Sequence, residues 1–492
     1  MPSGNVLSYI VPMRDHIHLQ INSDIIKVRG HDAFLTLSEF LRRRRGLVGT
    51  KIVCSEGDCG SCSVLCGQVT GDGMRYQPVD SCIRFMFQLD GVHIVTVEGL
   101  KQDGELSCVQ QAMVDCHGSQ CGFCTPGFVV AMTALRQNRP ASQPATESEL
   151  REGLTGNLCR CTGYSSILEA GAVAAEQSDT ASLVPAFELS PDALRVPIEV
   201  TATCGDAKHH VYSPTTVAEA VDFLSRHSEA EVKIVAGATD LGVQFNKGHI
   251  APSDWMDLNR VAELEKCEIV DGFMVFGARA TWTDVLLLAE STVPELYQVM
   301  KVFGSPQIRH VGTIGGNIIN ASPIADSLPF LFVCDAELTI TGAAGVRTVN
   351  INDFYSGYKQ MDLAKGELLT SIRVPLPPAN RNLRLYKVSR RRDLDISTFT
   401  GAIWMELDGE KIADAGIAYG AVGPTVLRLK QTEEFLRGKS FTIETMTAAG
   451  DVAVKEIMPI TDVRGRSGYR FQLARNVLKK FYYQQGSGLK QV

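Results

Sequence analysis

Alternating hydrophobic and polar residues near the start of the chain predict a small β-rich domain. Residues 17–29, IHLQINSDIIKVR, alternate on both sides of an Asn-Ser-Asp turn, as two short strands would. Thr36-Leu-Ser-Glu39 is a capping-box pattern that opens a short helix, and Gly46 can end that helix. Strand-like segments, SVLCGQV and GVHIVTVEG, follow a loop dense in glycine and cysteine. We expect this domain to end near Leu100.

The next stretch has the apolar spacing of helices instead. SCVQQAMVDC favours one helix, and Thr125-Pro126 begins another with proline at a tolerated first-turn position. Thr146-Glu-Ser-Glu149 is a second capping box, and a last helix is predicted from about Tyr164 to Glu176. The pattern predicts a second domain that is entirely helical.

The remainder of the chain reads as a linker followed by mixed α and β segments. Residues 177–200 lack clear periodicity and hold three prolines, which indicates a linker that crosses a surface. Helical TVAEAVDFLSRH and TWTDVLLLAE alternate with strand-like EVKIVAG and FMVFGAR. The closing 80 residues, with GAIWMEL and DAGIAYGAV as strands, predict a smaller α+β unit.

Composition places the chain among ordinary globular proteins. Its 492 residues predict two to four domains, and 45% hydrophobic with 21% charged residues argues against a disordered or coiled-coil chain. No apolar run reaches the roughly 18 residues that span a bilayer, and the N-terminal sequence does not resemble a signal peptide. The net charge of −7 gives no electrostatic case for a nucleic-acid partner. We expect a cytoplasmic protein that binds neither nucleic acid nor membrane.

Cysteine usage is the feature that points to chemistry. Eleven of the fourteen cysteines lie at or before position 161. A cytoplasmic chain keeps its thiols reduced, so clustered cysteines in it more often bind metal or do redox work. The first third of the chain is therefore the candidate for a metal or redox site.

The first constellation has the spacing Cys54-x4-Cys59-x2-Cys62, with Cys82 nineteen residues further on. This is the plant-type ferredoxin arrangement for a 2Fe-2S cluster, whose irons take soft, anionic thiolate ligands. Glycines at 57 and 60 allow the tight loop that such a cluster needs. A zinc site or buried thiols are the alternatives. Cys66, just past the loop, is predicted to be a core thiol.

A second constellation, Cys121-x2-Cys124 followed by Cys159-x-Cys161, lies in the predicted helical domain. Each pair stands at a loop-to-helix junction, where the helix dipole favours thiolate. Zinc is the serious alternative, because two cysteine pairs can also form a tetrahedral site. Cys108 and Cys116 are predicted to be packed helix thiols.

Two glycine-containing loops in the middle third could hold a dinucleotide. KIVAGATDLGVQ, residues 233–244, places a turn directly after a strand, where backbone amides around Gly237 and Ala238 could bind a pyrophosphate. Gly312-Thr-Ile-Gly-Gly-Asn317 permits close backbone approach, and Asn320-Ala-Ser-Pro323 and Asp326 follow it with further polar groups. The first loop alone is a weak signal, with a plain strand–loop–helix junction as the alternative, and the second loop is more informative. The two together favour a dinucleotide site.

These motifs carry a resemblance to a known family. SEGDCGSCSV, SQCGFCTPGFVVA and TGNLCRCTGY resemble the iron–sulfur portion of the molybdenum hydroxylases, the xanthine dehydrogenase and aldehyde oxidase family. VAGATDLG, TIGGNIINASPIAD, LLTSIRVP and YKVSRRRDLDIS resemble the FAD-binding part of the same family. The resemblance covers about residues 15–480. It implies a multidomain α+β fold: a β-grasp plant-type 2Fe-2S ferredoxin domain (15–100), a four-helix 2Fe-2S domain (101–178), a linker (179–204), an α+β FAD-binding domain of the vanillyl-alcohol-oxidase-like type (205–378) and a C-terminal α+β flavoprotein domain (379–492).

The resemblance also implies site residues. The two cysteine constellations would each hold one 2Fe-2S cluster, and Gln120 and Cys161 would approach the pterin of a partner. Ala238 departs from many relatives, which carry Asn or Gly there, and Lys387 would pair with a cofactor phosphate or the flavin edge, with a solvated lysine as the alternative. The Arg390 to Arg392 run is expected to be a solvated face. The implied FAD contacts are Ile234, Val235, Ala236, Gly237, Ala238, Thr239, Asp240, Leu241, Phe303, Thr313, Gly316, Asn317, Asp326, Ile372 and Lys387.

The implied function is electron transfer within a larger enzyme. Nothing after residue 480 is left for a molybdopterin domain, so the catalytic residues are expected on a large partner subunit, in a heterotetramer with two copies of each chain. Electrons from oxidation of a purine, hypoxanthine or xanthine, would pass through two clusters to FAD and then to NAD. The alternatives are the small subunit of another molybdenum hydroxylase, acting on an aldehyde or an N-heterocycle, a stand-alone flavin–iron–sulfur carrier, and a zinc-stabilised scaffold.

Overall fold

The computed structural model describes residues 13–70, 73–101, 104–140, 142–177, 183–189 and 196–486. The chain divides into two compact units. The first comprises residues 1–262 and 306–311, and the second comprises residues 263–305 and 312–492. This division differs from the predicted domain order, because the first part of the predicted FAD-binding domain lies in the same unit as both cysteine constellations.

Runs of strands and runs of helices follow one another along the described chain. The strands are β1 (Ile17–Ile21), β2 (Asp24–Val28), β3 (Ser63–Thr70), β4 (Gly73–Asp80), β5 (His93–Val95), β6 (Ile198–Cys204), β7 (Ala207–Ser213), β8 (Val232–Val235), β9 (Asp254–Asp257), β10 (Cys267–Val270), β11 (Phe273–Gly277), β12 (Glu337–Gly342), β13 (Gly345–Asn350), β14 (Tyr355–Gly357), β15 (Gln360–Met361), β16 (Leu368–Pro375), β17 (Arg381–Val388), β18 (Phe399–Asp408), β19 (Lys411–Gly420) and β20 (Leu427–Arg428). The helices are α1 (Leu37–Arg43), α2 (Cys108–Asp115), α3 (Thr125–Gln137), α4 (Glu147–Gly153), α5 (Ser165–Glu176), α6 (Val217–Arg226), α7 (Leu241–Asn246), α8 (Trp282–Thr292), α9 (Pro294–Lys301), α10 (Pro306–Arg309), α11 (Ile314–Asn320), α12 (Leu328–Val333), α13 (Ile351–Phe354), α14 (Lys430–Leu436), α15 (Ile443–Ala453) and α16 (Ser467–Gly486).

The first unit begins with a five-stranded β-grasp sheet in the order β2-β1-β5-β3-β4. Strands β1 and β5 are parallel, and the other neighbours are antiparallel. Helix α1 packs its buried side chains, including Phe40 and Leu41, into the core of this sheet. The predicted helix cap is confirmed, because the hydroxyl of Thr36 accepts a hydrogen bond from the N–H of Glu39. The sheet and helix together place the loop of the first cysteine constellation between α1 and β3.

Four helices, α2 to α5, follow within the described part of this unit, as the apolar spacing predicts. Phe128 on α3 and Ile167 on α5 are almost fully buried in their common core. Reciprocal capping boxes open α2 and α4, with Ser107 and Thr146 as the cap residues. These caps satisfy N–H groups that a helix leaves unpaired at its start.

A four-stranded sheet in the order β6-β7-β9-β8 completes the unit. Strand β6 lies where the sequence predicts a linker, so the predicted linker is wrong over this segment. Ile198 and Val200 are almost fully buried, whereas Glu199 between them is only partly buried. Their core includes Trp255 of β9 together with Phe85 and Phe87 of the β-grasp domain. Shared burial of these aromatic rings explains why the boundary between the compact units falls after residue 262.

The second unit contains two main sheets. One has the order β10-β11-β16-β12-β13, and the other is the antiparallel sheet β17-β18-β19-β20. Strands β18 and β19, both predicted from the sequence, pair in antiparallel fashion from Thr400–Gly420 to Asp408–Lys411. Helices α14 to α16 contribute to the core of this sheet, in which Phe481 of α16 is fully buried. None of the helices within the described residues is both long enough and apolar enough to cross a membrane.

Candidate cofactor sites

The structure brings the four cysteines of the first constellation together. The thiol of Cys54 contacts the thiols of Cys59 and Cys82, and the thiol of Cys62 also contacts that of Cys82. Cys62 directly precedes β3, and Cys82 follows β4, which pairs with β3. The pairing of β3 with β4 therefore positions Cys62 and Cys82, and the loop before β3 positions Cys54 and Cys59.

The backbone of this loop is arranged to receive anionic sulfur. Gly57 and Gly60 have φ angles of 70° and 67°, a left-handed conformation that glycine adopts without strain. The N–H of Glu56 donates to Sγ of Cys54 at 3.4 Å, and the backbone of Ser61 hydrogen-bonds the Cys59 thiol. Hydrogen bonds to sulfur stabilise its charged form. This donor set fits a thiolate-bound cluster.

The second constellation forms two thiol contacts between the loops that precede α3 and α5. Cys121 contacts Cys161, and Cys124 contacts Cys159. The N–H of Thr162 donates to Sγ of Cys159 at 3.5 Å, so the backbone again faces sulfur. Such a pairing fits a two-iron cluster, in which each iron takes two of the four thiolates.

The two constellations differ in exposure. Cys121 and Cys161 are exposed, whereas Cys62 and Cys82 are buried. Within the described residues, no group of three or more His, Cys, Asp or Glu side chains is arranged to bind a single metal ion.

Cys66 is buried as expected, and burial raises the pKa of its thiol to about 11. Its neutral thiol is a poor ligand.

Direct backbone contacts join the two cysteine groups. The N–H of Leu158 donates to the carbonyl oxygen of Cys59 at 3.0 Å, and Leu158 directly precedes Cys159. Gly127 of α3 lies so near that a Cβ atom there would stand 2.1 Å from the carbonyl oxygen of Gly60. The two loops are therefore in contact through their main chains.

The first cysteine group also contacts the segment after β8. The Nδ2 of Asn246, at the end of α7, donates to the carbonyl oxygens of Cys82 at 2.8 Å and Ser55 at 2.9 Å. Buried Arg84 donates to the carbonyl oxygen of Gly237 at 3.4 Å. The first of the two predicted dinucleotide loops thus lies against the first cysteine group.

That loop, Ile234 to Leu241, has a fixed backbone. The carbonyl oxygen of Ala236 accepts hydrogen bonds from Gln88 at 2.6 Å and Asn259 at 3.0 Å. Ala238 has a φ of 59°, which glycine and asparagine adopt more readily than alanine. This gives a physical meaning to the departure noted in the sequence, because Ala238 holds a conformation that Asn or Gly would favour. Arg84 and Gln88 hold the loop carbonyls and were not among the predicted site residues.

The second predicted loop lies in the second unit, at the start of α11. The hydroxyl of Thr313 accepts a hydrogen bond from the N–H of Gly316 at 3.1 Å. Oδ1 of Asn317 accepts from the hydroxyl of Ser327 at 2.7 Å. A Cβ atom at Gly315 would stand 2.4 Å from the carbonyl oxygen of Ala278, so only glycine allows this approach. The polar residues predicted here do lie close together.

Asp326 and Lys387 form a buried ion pair in the same unit. The Nζ of Lys387 lies 2.5 Å from Oδ2 of Asp326, and the two side chains are 5% and 6% exposed. The hydroxyl of Ser397 donates to the other carboxylate oxygen at 2.5 Å. Lys387 is therefore not a solvated lysine, whereas Arg390 to Arg392 are exposed as expected.

The remaining two predicted contacts lie in the hydrophobic core of this unit. Ile372 on β16 is fully buried and pairs with Leu338 and Phe276 on the neighbouring strands. Phe303 packs edge-to-face against Trp282, with ring centroids 4.9 Å apart.

Comparisons with known proteins extend the interpretation of these sites. Three family models match: a 2Fe-2S binding domain over residues 96–172, the FAD binding domain in molybdopterin dehydrogenase over 206–377, and the CO dehydrogenase flavoprotein C-terminal domain over 384–485. Xanthine dehydrogenase 1 of Arabidopsis thaliana is 29% identical over 92% of this chain, and the xanthine dehydrogenase/oxidase of Gallus gallus is 27% identical over 95%. The chain spans about two fifths of the length of these curated relatives, 38% and 40%.

Solved structures give a consistent result. A carbon monoxide dehydrogenase from Hydrogenophaga pseudoflava is 30% identical with a TM-score of 0.52, covering 55% of this chain and 94% of its own. Quinoline 2-oxidoreductase from Pseudomonas putida 86 is 26% identical with a TM-score of 0.52, covering 56% and 96%. The chain carries a 2Fe-2S-binding domain and an FAD-binding domain. It belongs to the molybdenum hydroxylase family.

Proposed function

We propose that this chain is the electron-transfer subunit of a xanthine dehydrogenase. It would carry two 2Fe-2S clusters and FAD, and pass electrons from a molybdenum centre on a partner subunit to NAD as hypoxanthine and xanthine are oxidised. The observation that carries the proposal is a continuous series of contacts in one unit. The loop of the second cysteine group contacts that of the first through Leu158 and Cys59, and the first contacts the predicted flavin loop through Asn246 and Arg84.

Each cysteine group would hold one cluster. We assign the plant-type cluster to Cys54, Cys59, Cys62 and Cys82, and the other to Cys121, Cys124, Cys159 and Cys161. The assignment is supported by the thiol contacts and by the N–H groups that face the sulfur atoms. When bound, the clusters and the flavin supply the redox chemistry, whereas the chain's own residues set position and solvent access.

Each of the two loops described above is a candidate for FAD contacts within its own unit. In the first, Ile234 to Leu241 would offer backbone amides, since the carbonyls of Ala236 and Gly237 are already bonded to side chains. In the second, Thr313, Gly316, Asn317 and the Asp326–Lys387 pair would supply polar contacts. We retain Phe303 and Ile372 as apolar contacts in this proposal.

A large molybdopterin-binding subunit is the proposed partner. Exposed Cys121 and Cys161 stand beside exposed Phe123 and Tyr164, which are 54% and 38% accessible. Exposed thiolate ligands and aromatic rings favour a surface that another chain covers. Gln120 and Cys161 would then approach the pterin, in a cytoplasmic heterotetramer with two copies of each chain.

Another molybdenum hydroxylase activity is the second candidate. It is favoured by the similar solved structures, which are named as a carbon monoxide dehydrogenase and a quinoline 2-oxidoreductase. In that case the same cofactors would serve oxidation of an N-heterocycle, an aldehyde or carbon monoxide. A stand-alone flavin–iron–sulfur carrier would share the cofactors but need no molybdenum partner.

The first test is a visible spectrum of the purified chain before and after anaerobic addition of NADH. We expect iron–sulfur absorbance over a flavin envelope, bleached by NADH. Unchanged iron–sulfur and flavin absorbance would contradict the NAD part of the proposal, and a colourless folded protein would contradict all of it.

The second test distinguishes the substrates. The chain is co-purified with a large subunit encoded beside it, and reduction of the clusters is followed with xanthine, quinoline, an aldehyde and carbon monoxide. Cluster bleaching by xanthine alone supports the purine assignment. Bleaching by one of the others, and not by xanthine, assigns the second candidate.

A further inference from the structure

Two buried amide side chains surround the contact between the cysteine loops. Nδ2 of Asn157 donates to the carbonyl oxygen of Gly60 at 3.1 Å, next to the Cys59–Leu158 hydrogen bond. Oδ1 of Asn157 accepts from Nε2 of Gln307 at 2.9 Å. Asn157 therefore connects one cysteine loop to the other and to helix α10.

Gln307 makes a second contact at the same place. Its Nε2 also lies 3.2 Å from the hydroxyl oxygen of Ser63, the residue that follows Cys62. Next to it on α10, the side chain of Ile308 packs against Cys62, Cys82 and Ile83. One turn of helix, 306–309, thus contacts the surroundings of the first cysteine group and reaches the second through Asn157.

The amide of Gln307 is costly to keep in this position. The side chain is fully buried, and its Oε1 finds no hydrogen-bond donor among the described residues. An unsatisfied buried acceptor lowers stability, and the two hydrogen bonds that Gln307 donates to Asn157 and Ser63 offset this cost.

Steric limits make the contact sensitive to small displacements. A Cβ atom at Gly60 would stand 2.3 Å from the carbonyl oxygen of Gly156, and Gly127 allows the equally close approach noted above. Three main-chain segments therefore meet without any side chain between them. The Asn157 amide fixes their spacing from the side.

We propose that Asn157 and Gln307 are positioning residues for electron exchange between the two cluster sites. The amide pair holds the Cys59–Leu158 hydrogen bond in place. Because Leu158 directly precedes Cys159, the backbones of Cys59 and Cys159 are then connected through one hydrogen bond and one peptide unit. One electron crosses in each event, oxidising the site it leaves and reducing the site it enters, with no bond made or broken. The inference rests on the proposed function, because it requires both clusters.

The test uses the full chain loaded with both clusters and FAD, as wild type and as the variants Gln307→Met and Asn157→Ala. Gln20→Ala is the control, because Gln20 is a fully buried amide in the same unit that bonds Ala186 and Glu188 instead. Iron content and the two electron paramagnetic resonance (EPR) signals are measured first. A wild-type chain without two signals would contradict the proposed function itself, which separates that failure from failure of the present inference.

The first readout is hydrogen exchange at the Leu158 amide, followed by mass spectrometry. Because each variant removes hydrogen bonds that hold this junction, we expect exchange to be about tenfold faster in both variants and unchanged in the control. Gln307→Met removes one unsatisfied buried acceptor but leaves Oδ1 of Asn157 without this donor, so the unfolding temperature should change little.

The second readout is rapid-freeze EPR after mixing with sub-stoichiometric dithionite. The exposed group at Cys121 and Cys161 is the accessible entry point. In wild type and in the control both signals should appear together, and in the two variants the signal of the buried group should lag. Simultaneous signals and wild-type exchange in both variants would overturn the inference. An equal lag in the control would also overturn it, because the effect would then be general loosening.

Discussion

The hydroxyl of Tyr76 lies 2.7 Å from Nδ1 of His93, inside the core of the first unit. On the other side of the ring, Nε2 of His93 lies 2.8 Å from the carbonyl oxygen of Asn22. A carbonyl can only accept, so Nε2 carries a proton. Burial lowers the pKa of His93 and so favours the neutral ring, in which Nδ1 accepts from the hydroxyl of Tyr76.

A dependence of stability on pH follows from that assignment. Burial lowers the pKa of His93 below its ordinary value of 6.5. The unfolded chain therefore takes up a proton at a higher pH than the folded chain does. The contribution of neutral His93 to the free energy of unfolding is thus complete above pH 6.5 and is lost as the pH falls below that value. We expect the unfolding temperature to fall between about pH 7 and about pH 5.

The variant His93→Gln should make this dependence less steep, because glutamine can donate to Asn22 and accept from Tyr76 without titrating. The remainder comes from groups such as His18 and His310, whose pKa values burial also lowers. His249→Gln, at an exposed histidine, is the matched control and should leave the pH profile unchanged. A His93→Gln profile as steep as that of wild type would contradict the assignment.

The cysteine assignment predicts a selective loss of iron. Cys62→Ser should remove about half of the iron and one of the two EPR signals, because a 2Fe-2S cluster needs four protein ligands. The control is Cys66→Ser, because Cys66 is a buried cysteine four residues after Cys62 and outside the constellation. The Cys66→Ser protein should retain all of the iron. Equal iron loss in the two variants would show that the ligand set is wrong.

The close approach at Gly127 predicts a steric effect. Gly127→Ala would place its Cβ against the Gly60 carbonyl, so the loops must separate, at a cost of about 1–3 kcal/mol of unfolding free energy. Thermal unfolding and iron content measure the effect. Gly468→Ala is the control, since a Cβ atom there meets nothing within 4 Å and should be neutral or slightly stabilising. An unchanged Gly127→Ala protein would mean that the loops are not held in contact.

The buried Asp326–Lys387 pair predicts a coupled effect on stability and flavin content. Lys387→Met leaves a buried carboxylate without its counter-ion, which costs about 3–5 kcal/mol. Adding Asp326→Asn removes that charge and should recover most of the unfolding temperature. Under the proposed FAD site, neither variant should regain full flavin content. Equal stability of the single and double variants would contradict the ion pair.

Local patterns were sufficient for the cysteine loops and for helices α2 to α5. Fixed cysteine spacing and capping boxes act over a few residues, so a sequence displays them directly. Strand β6 was missed because the expectation of a linker followed the prolines rather than the alternation from Ile198. The alternation of apolar and polar residues in that segment indicates a strand, but it is a weaker signal than the prolines.

Contacts between distant segments could not be predicted in this way. Gln307 and Asn157 are 150 positions apart, and no spacing or periodicity links them. No local sequence pattern predicts the ion pair of Asp326 with Lys387 either. Such contacts depend on how whole segments pack, and a buried amide or lysine shows its partner only in the folded chain.

Spin quantitation by EPR tests the central claim most directly. The purified chain is reduced with excess dithionite, and the signals are integrated against protein and flavin concentration. The account predicts two distinct 2Fe-2S signals, each integrating to about one spin per chain, together with bound FAD. A single signal, or none in a folded chain that binds flavin, would contradict the relay that joins the two cysteine groups to the flavin loop.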